Sequence, residues 1–245
     1  MHCRSGAFRA RRLVVAFIIA ALFALPSMAA AAPVQLDGVT LQVQLMPEAE
    51  PGTSVLIVGV DLPEGTPLPA TVRLPLPEGA EVFWAGELTG LGPDDDILRE
   101  FTIVDVAGGQ AVEFTVEETL TVQYDALYGT MGINDGDIST TLRWLQTVPT
   151  GEVSIGVRIP PRSEQVRLDP AAPGPPVNNA AGESLYTLRS VNLEPDSEFT
   201  VSVTYRRAGS GSGQQGPPLI PILLGLLAAA VLALLFALRM QSRRS

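Results

Sequence analysis

Between residues 32 and 208 the sequence alternates. Leu41, Val43 and Leu45 are separated by Gln42 and Gln44. Leu120, Val122 and Tyr124 interleave with Thr119, Thr121 and Gln123. Val153, Ile155, Val157 and Ile159 interleave with Ser154, Gly156 and Arg158, and Phe199, Val201, Val203 and Tyr205 with Thr200, Ser202 and Thr204. A period of two sends successive side chains to opposite faces of an extended strand, so each run offers one face to a core. Residues 55–60 form an apolar run broken only by Gly59, the pattern of a more central strand. No stretch here keeps a helical period. Turn formers separate the runs at Pro63-Glu64-Gly65, Pro77-Glu78-Gly79, Gly108-Gly109, Pro149-Thr150-Gly151 and Pro195-Asp196. Short strands with closely spaced turns predict an all-β fold, an antiparallel β-sandwich.

The ends of the chain are of another kind. Arg4, Arg9, Arg11 and Arg12 precede a 13-residue apolar run at 13–25, then Pro26 and the small residues Ala29 and Ala31. This is the layout of a secretory signal peptide, cleaved after Ala31. Residues 219–238 are 20 consecutive positions without a polar side chain, followed by Arg239, Arg243 and Arg244. As a helix they measure about 30 Å, the thickness of a hydrocarbon core. The basic residues place that end in the cytoplasm. The expected organisation is a signal peptide at 1–31, β-sandwich regions at 32–130 and 131–208, a flexible linker at 209–218, one transmembrane helix at 219–238 and a cytoplasmic tail at 239–245. The expected location is the plasma membrane, single-pass, with the N-terminal side outside.

Two passages hint at internal duplication. Val72-Arg73-Leu74-Pro75 is echoed by Val157-Arg158-Ile159-Pro160, and Val122-Gln123-Tyr124 by Val203-Thr204-Tyr205. Two similar halves meeting near residues 129–136, or one sandwich of look-alike strands, both fit. The stretch from Leu193 through Pro195 and Phe199 to Thr204 resembles the late strand entry of fibronectin type III domains. That resemblance implies an Ig-like sandwich with a binding or spacer role, and it carries over no functional residues. Phe199 stands where that family has a tyrosine, so the corner hydroxyl bond has no donor.

Composition removes most chemistry. The chain has no lysine, and its single histidine and cysteine, His2 and Cys3, lie in the segment expected to be cleaved. A histidine-based triad, a lysine-dependent phosphate loop and thiolate or imidazole metal sites therefore have no residues to build them in the exported part. Without disulfides the fold must be held by its core. Residues 32–208 carry all 26 acidic residues against nine arginines, a net charge of −17. Such a surface repels phosphate backbones, so no nucleic-acid partner is expected.

The remaining candidates are few. Asn134-Asp135-Gly136-Asp137 offers oxygen ligands in a tight turn, which makes Asp135 and Asp137 the calcium candidates. Asp94-Asp95-Asp96 is a second acidic cluster. Trp84 and Trp144 are candidates for stacking on glycan rings, with burial in the core as the competing reading for both. Residues 124–132 read as a docking loop or as a crossover between halves, and residues 170–182, rich in Pro, Ala and Asn, as an exposed loop. The expected function is non-enzymatic: an interaction or accessory module of a membrane complex, whose partner is another membrane or envelope protein. The alternative is a surface protein that binds cell-envelope glycan, with calcium as the one conceivable cofactor.

Overall fold

The computed structural model describes residues 32–50 and 52–208. The expected signal peptide, linker, membrane span and tail lie outside the described residues. Among the described residues no helix is long and apolar enough to cross a membrane.

The fold within that span is all-β, with three sheets. Its first strands are β1 (Leu41–Glu50), β2 (Thr53–Asp61), β3 (Ala70–Leu76), β4 (Ala80–Glu87) and the short β5 (Ile97–Leu98). Then come β6 (Phe101–Val106), β7 (Gly109–Val116) and β8 (Thr121–Thr130). They lie as β1-β2-β8-β4-β5 in one layer and β3-β7-β6 in another. The remaining strands are β9 (Gly132–Asn134), β10 (Asp137–Leu145), β11 (Val153–Ile159), β12 (Ser163–Asp169), β13 (Val177–Asn178), β14 (Ser184–Thr187) and β15 (Glu198–Arg207). They lie as β9-β10-β15-β12 and β11-β14-β13. The two orders match strand for strand: first, second, last and fourth strands in one sheet, third, sixth and fifth in the other, with β5 as the extra strand.

The expected sandwich was wholly antiparallel. One pairing departs from this: β1 and β11 run parallel, with Leu41 opposite Val153, Val43 opposite Ile155 and Leu45 opposite Val157. This seam fuses β11-β14-β13 to β1-β2-β8-β4-β5 and makes one eight-stranded sheet. Its chemistry is simple. The buried faces of the two strands present branched apolar side chains in the same register, so the joined rows form one continuous core face.

The fibronectin-like resemblance at residues 193–204 is not confirmed. Phe199 to Thr204 do lie in a strand, but β15 is inserted between β10 and β12. In the immunoglobulin arrangement that central position is taken by the fifth strand, and the last strand pairs in the opposite sheet.

Both smaller sheets pack on the same face of the large one. The Tyr124 hydroxyl on β8 donates to the Pro75 carbonyl on β3 at 2.5 Å. The Arg143 backbone N–H on β10 donates to the Tyr128 hydroxyl at 3.0 Å, and the Ser54 and Thr140 hydroxyls meet at 3.2 Å. Leu56, Val58, Tyr124, Val157, Leu142 and Trp144 belong to one connected core. Among the described residues no sheet packs on the other face of the eight-stranded sheet.

Two loop expectations need correction. Residues 124–130 are neither docking loop nor crossover but the second half of β8, with Tyr124, Ala126 and Tyr128 all turned inward. The alternation that begins at Val122 simply continues through a small Ala. The crossover is confined to the step through Met131 into β9. Residues 170–182 are mostly exposed, as expected, yet Val177 and Asn178 form β13 and pair with β14.

Candidate functional site

The sequence candidates fall in three different places. Trp144 is fully buried in β10, flanked by Leu142, and its indole N–H donates to Gln146 Oε1 at 2.9 Å. Its reading as a ligand platform is therefore corrected: no ring face reaches solvent. Gln146 is buried with it and completes its bonds to the Val148 carbonyl at 2.5 Å and the Thr150 hydroxyl at 2.9 Å.

Asp135 and Asp137 lie in the hairpin joining β9 to β10. Asp135 has φ 49° and Gly136 φ 84°, the two left-handed central residues of a tight primed turn. The sequence Asn-Asp-Gly-Asp is thus accounted for by backbone geometry. Asp137 is paired across the ladder with Arg206, Nε to Oδ1 at 2.7 Å. Among the described residues no three His, Cys, Asp or Glu side chains converge as a metal site. In the acidic cluster, Asp96 accepts the Thr89 backbone N–H at 3.0 Å and ties down the loop between β4 and β5.

Trp84 is half-buried on the open face of the eight-stranded sheet. A β-bulge between Val82 and Trp84 puts Trp84 opposite Asp125 and returns Ala85 to the core opposite Tyr124. Phe83 is the extra residue of the bulge, left unpaired with 53% of its surface exposed. Two further apolar side chains stand out beside it along the chain: Leu91 in the following loop, 80% exposed, and Leu98 on β5, 64% exposed. The short β5 pairs with β4 only at Gly86 and Glu87, and the Arg99 backbone N–H donates to the Ala85 carbonyl at 2.9 Å, so among the described residues no strand pairs with the outer edge of β4 from Glu81 to Trp84. A groove of about 570 Å³ runs beside Leu98, with Phe101 and Thr115 in its lining and Glu100, Glu113 and Glu117 also present.

One carboxylate at this edge is fully buried. Glu87 turns into the core side, where burial pushes its pKa up. The backbone N–H groups of Thr119, Glu117 and Glu118, at 2.5, 2.8 and 2.8 Å, and Arg99 Nε at 2.6 Å outweigh that and hold it below its ordinary value. Every acceptor position is used, so Glu87 is a structural clasp and has no lone pair free for acid–base work.

The second surface feature spans the seam. An open cleft of about 340 Å³ crosses β11, β1, β2 and β8 on the solvent side, lined by Gln42, Gln44, Gln123 and Arg158 over Gly59 and Gly156. Asp61 and Arg158 are the charged side chains of that lining. Asp125, opposite Trp84 on β8, lies outside it and is partly buried; burial raises its pKa, and the Gln123 amide donating at 2.7 Å opposes the rise. Sequence reading had Gln42, Gln44, Gln123 and Arg158 in view as the solvent half of alternating strands, and Asp125 only within the stretch read as a docking loop or crossover. Nothing local said that β1 and β8 would bring Gln42 and Gln123 into one row across Gly59. Leu98 and Leu91 were missed because neither belongs to a periodic run.

No protein-family model matches the chain, and no curated protein matches it. Among solved structures, one similarity is to the Fcho1 Mu homology domain of Danio rerio with bound Eps15 peptide. It has 10% identity, covers 72% of this chain and 81% of that chain, and has a TM-score of 0.25. A likeness that slight carries neither fold nor function across.

Proposed function

We propose that the chain is a non-enzymatic, membrane-anchored extracytoplasmic interaction module, an accessory subunit that holds another membrane or envelope protein. The observation that carries this reading is the β4–β5 edge. There Phe83 on β4 and Leu91 in the following loop are exposed, and Leu98 is exposed in the lining of a groove with Arg99 and Phe101. Exposed apolar side chains on an unprotected edge are an aggregation hazard unless something covers them. The exposed apolar side chains suit a partner segment that is itself apolar, since Arg99 lines the groove and two of its glutamates are already paired, Glu113 with Arg73 and Glu117 with Arg99. The signal-like N-terminus and the apolar run at 219–238 supply the anchoring half of the proposal.

The test is affinity purification of the full-length protein from membranes solubilised in mild detergent, with partners quantified by mass spectrometry. A near-stoichiometric membrane or envelope protein is expected, and Phe83→Glu with Leu98→Glu should abolish its recovery while the variant stays folded by circular dichroism. Recovery of the wild-type protein alone overturns the reading.

A further inference from the structure

We propose that the free edge of β6 takes up an extended segment of another protein as an added antiparallel strand, with apolar side chains of that segment on Phe101 and Ile103. This deepens the interaction reading and rests on it for the existence of a partner; it names how the apolar segment is held.

A sheet edge exposes a row of backbone N–H and C=O groups, and natural folds blunt such rows. Most of the edges here are blunted. β5 and β13 are two residues long and β9 three. β12 is interrupted by a bulge between Glu164 and Arg167, with Gln165 at φ 54°. β3 is met by the N-terminal segment, whose Val34 N–H donates to the Thr71 carbonyl at 2.8 Å. β6 has none of these devices. It pairs with β7 over six consecutive residues without a register shift, and among the described residues no strand lies on its other side. It holds no proline and no arginine, and Asp105 is its one charged residue.

The register fixes which groups face outward. Val106 and Gly109 flank the two-residue loop Ala107-Gly108, so they form a hydrogen-bonded pair, and the pair types alternate from there along the ladder. Phe101, Ile103 and Asp105 therefore turn their backbone N–H and C=O away from β7, toward the free edge. Phe101 and Ile103 stand opposite the buried Phe114 and Val112, on the core face. Yet Ile103 is 43% exposed, so the core face runs out at this edge with an apolar side chain uncovered. An added strand supplies both missing things. It pairs the backbone row, and its side chains opposite Phe101 and Ile103 extend the core face. Phe101 also lines the groove that holds Leu98, so the added strand is contiguous with the exposed side chains at the β4–β5 edge.

A second copy does not fit. Two-fold antiparallel pairing sets one residue opposite itself. Centred on Phe101 it opposes Arg99 to Ile103, and on Thr102 it opposes Glu100 to Val104. Centred on Ile103 or Val104 it sets Asp105 against Phe101 or Ile103, and on Asp105 it sets two carboxylates together. Residues 209–218 of this chain contain only Gly, Ser, Gln and Pro, which give no apolar side chain suited to Ile103. The segment thus comes from another protein. It is apolar opposite Phe101 and Ile103, small and polar opposite Thr102, and basic opposite Asp105.

The probe is a fluorophore-labelled peptide of that pattern, Thr-Lys-Thr-Val-Thr-Val-Thr, titrated with the full-length protein in mild detergent and read by fluorescence anisotropy. Saturable binding is expected. The same peptide N-methylated at Lys and both Val keeps its side chains but loses the donors that face β6, and should bind at least about tenfold more weakly. Ile103→Lys should weaken binding about tenfold by placing a charge on the edge, and the methylated peptide keeps the test valid should that variant fold poorly. Absence of saturable binding to wild type overturns the proposal, and so does equal binding of the methylated peptide. The two readings fail separately: protein that captures a membrane partner but ignores the peptide loses strand addition alone, and protein that binds the peptide but captures no partner loses the accessory-subunit reading.

Discussion

Glu87 concentrates the residue-scale energetics of this fold. A fully buried carboxylate survives only because three backbone donors and one guanidinium replace its water. Glu87→Gln should lower stability by about 3 kcal/mol, because Arg99 then loses its buried partner; chemical denaturation of the full-length protein reads this directly. The pH dependence has a defined sign. Since the fold holds this carboxyl below its ordinary value of about 4.5, its contribution is complete above that value and is lost as pH falls through the lower, folded one. Acid should therefore destabilise wild type more than the Gln variant. Gln146→Leu makes a second case. It leaves the Trp144 indole N–H without an acceptor in the core and should cost about 2 kcal/mol, seen as a lower melting temperature. Neither role was legible in the sequence. Glu87 reads as one acidic residue among 26, and what buries it is a loop thirty residues away.

At the scale of elements, legibility followed the regularity of alternation. The strands that became β1, β2, β11 and β15 carry unbroken apolar positions at period two, and they are where the pattern puts them. β8 was truncated in the reading because Ala126 is too small to register as a core residue, though it packs opposite Leu56. Trp84 was assigned a candidate role without a face, since the bulge at Phe83 reverses which side each later β4 residue takes. The β9–β10 hairpin offers a direct check on the corrected turn. Gly136 sits at φ 84°, so Gly136→Ala should cost about 1 kcal/mol or more, and adding calcium should leave the melting temperature unchanged. A calcium-dependent rise would restore Asp135 and Asp137 as ligands.

For the whole molecule the parallel seam matters most. No local signal in residues 41–45 points to residues 153–157; a pairing that distant in sequence is set by tertiary packing. Because the seam joins the two strand sets into one sheet and one core, the described region should unfold as a unit. Ile155→Ala, which opens a cavity under the seam, is expected to cost about 3 kcal/mol. Hydrogen exchange should then report faster opening in β1 and β2 as well as in β11, with no separate second transition. Loss of protection confined to β11 and β14 would mean that the two strand sets are independent.

The placement of β15 also has a mechanical consequence. It lies between β10 and β12, and just before the chain leaves the described fold, Tyr205 and Arg207 both bind Glu48 at the end of β1. A pull on the chain beyond Arg207 does not meet a loose edge strand that peels one bond at a time. The load passes into two ladders at once and, through Glu48, into the first strand of the molecule, so traction from a tether spreads across both sheets before any one strand can yield.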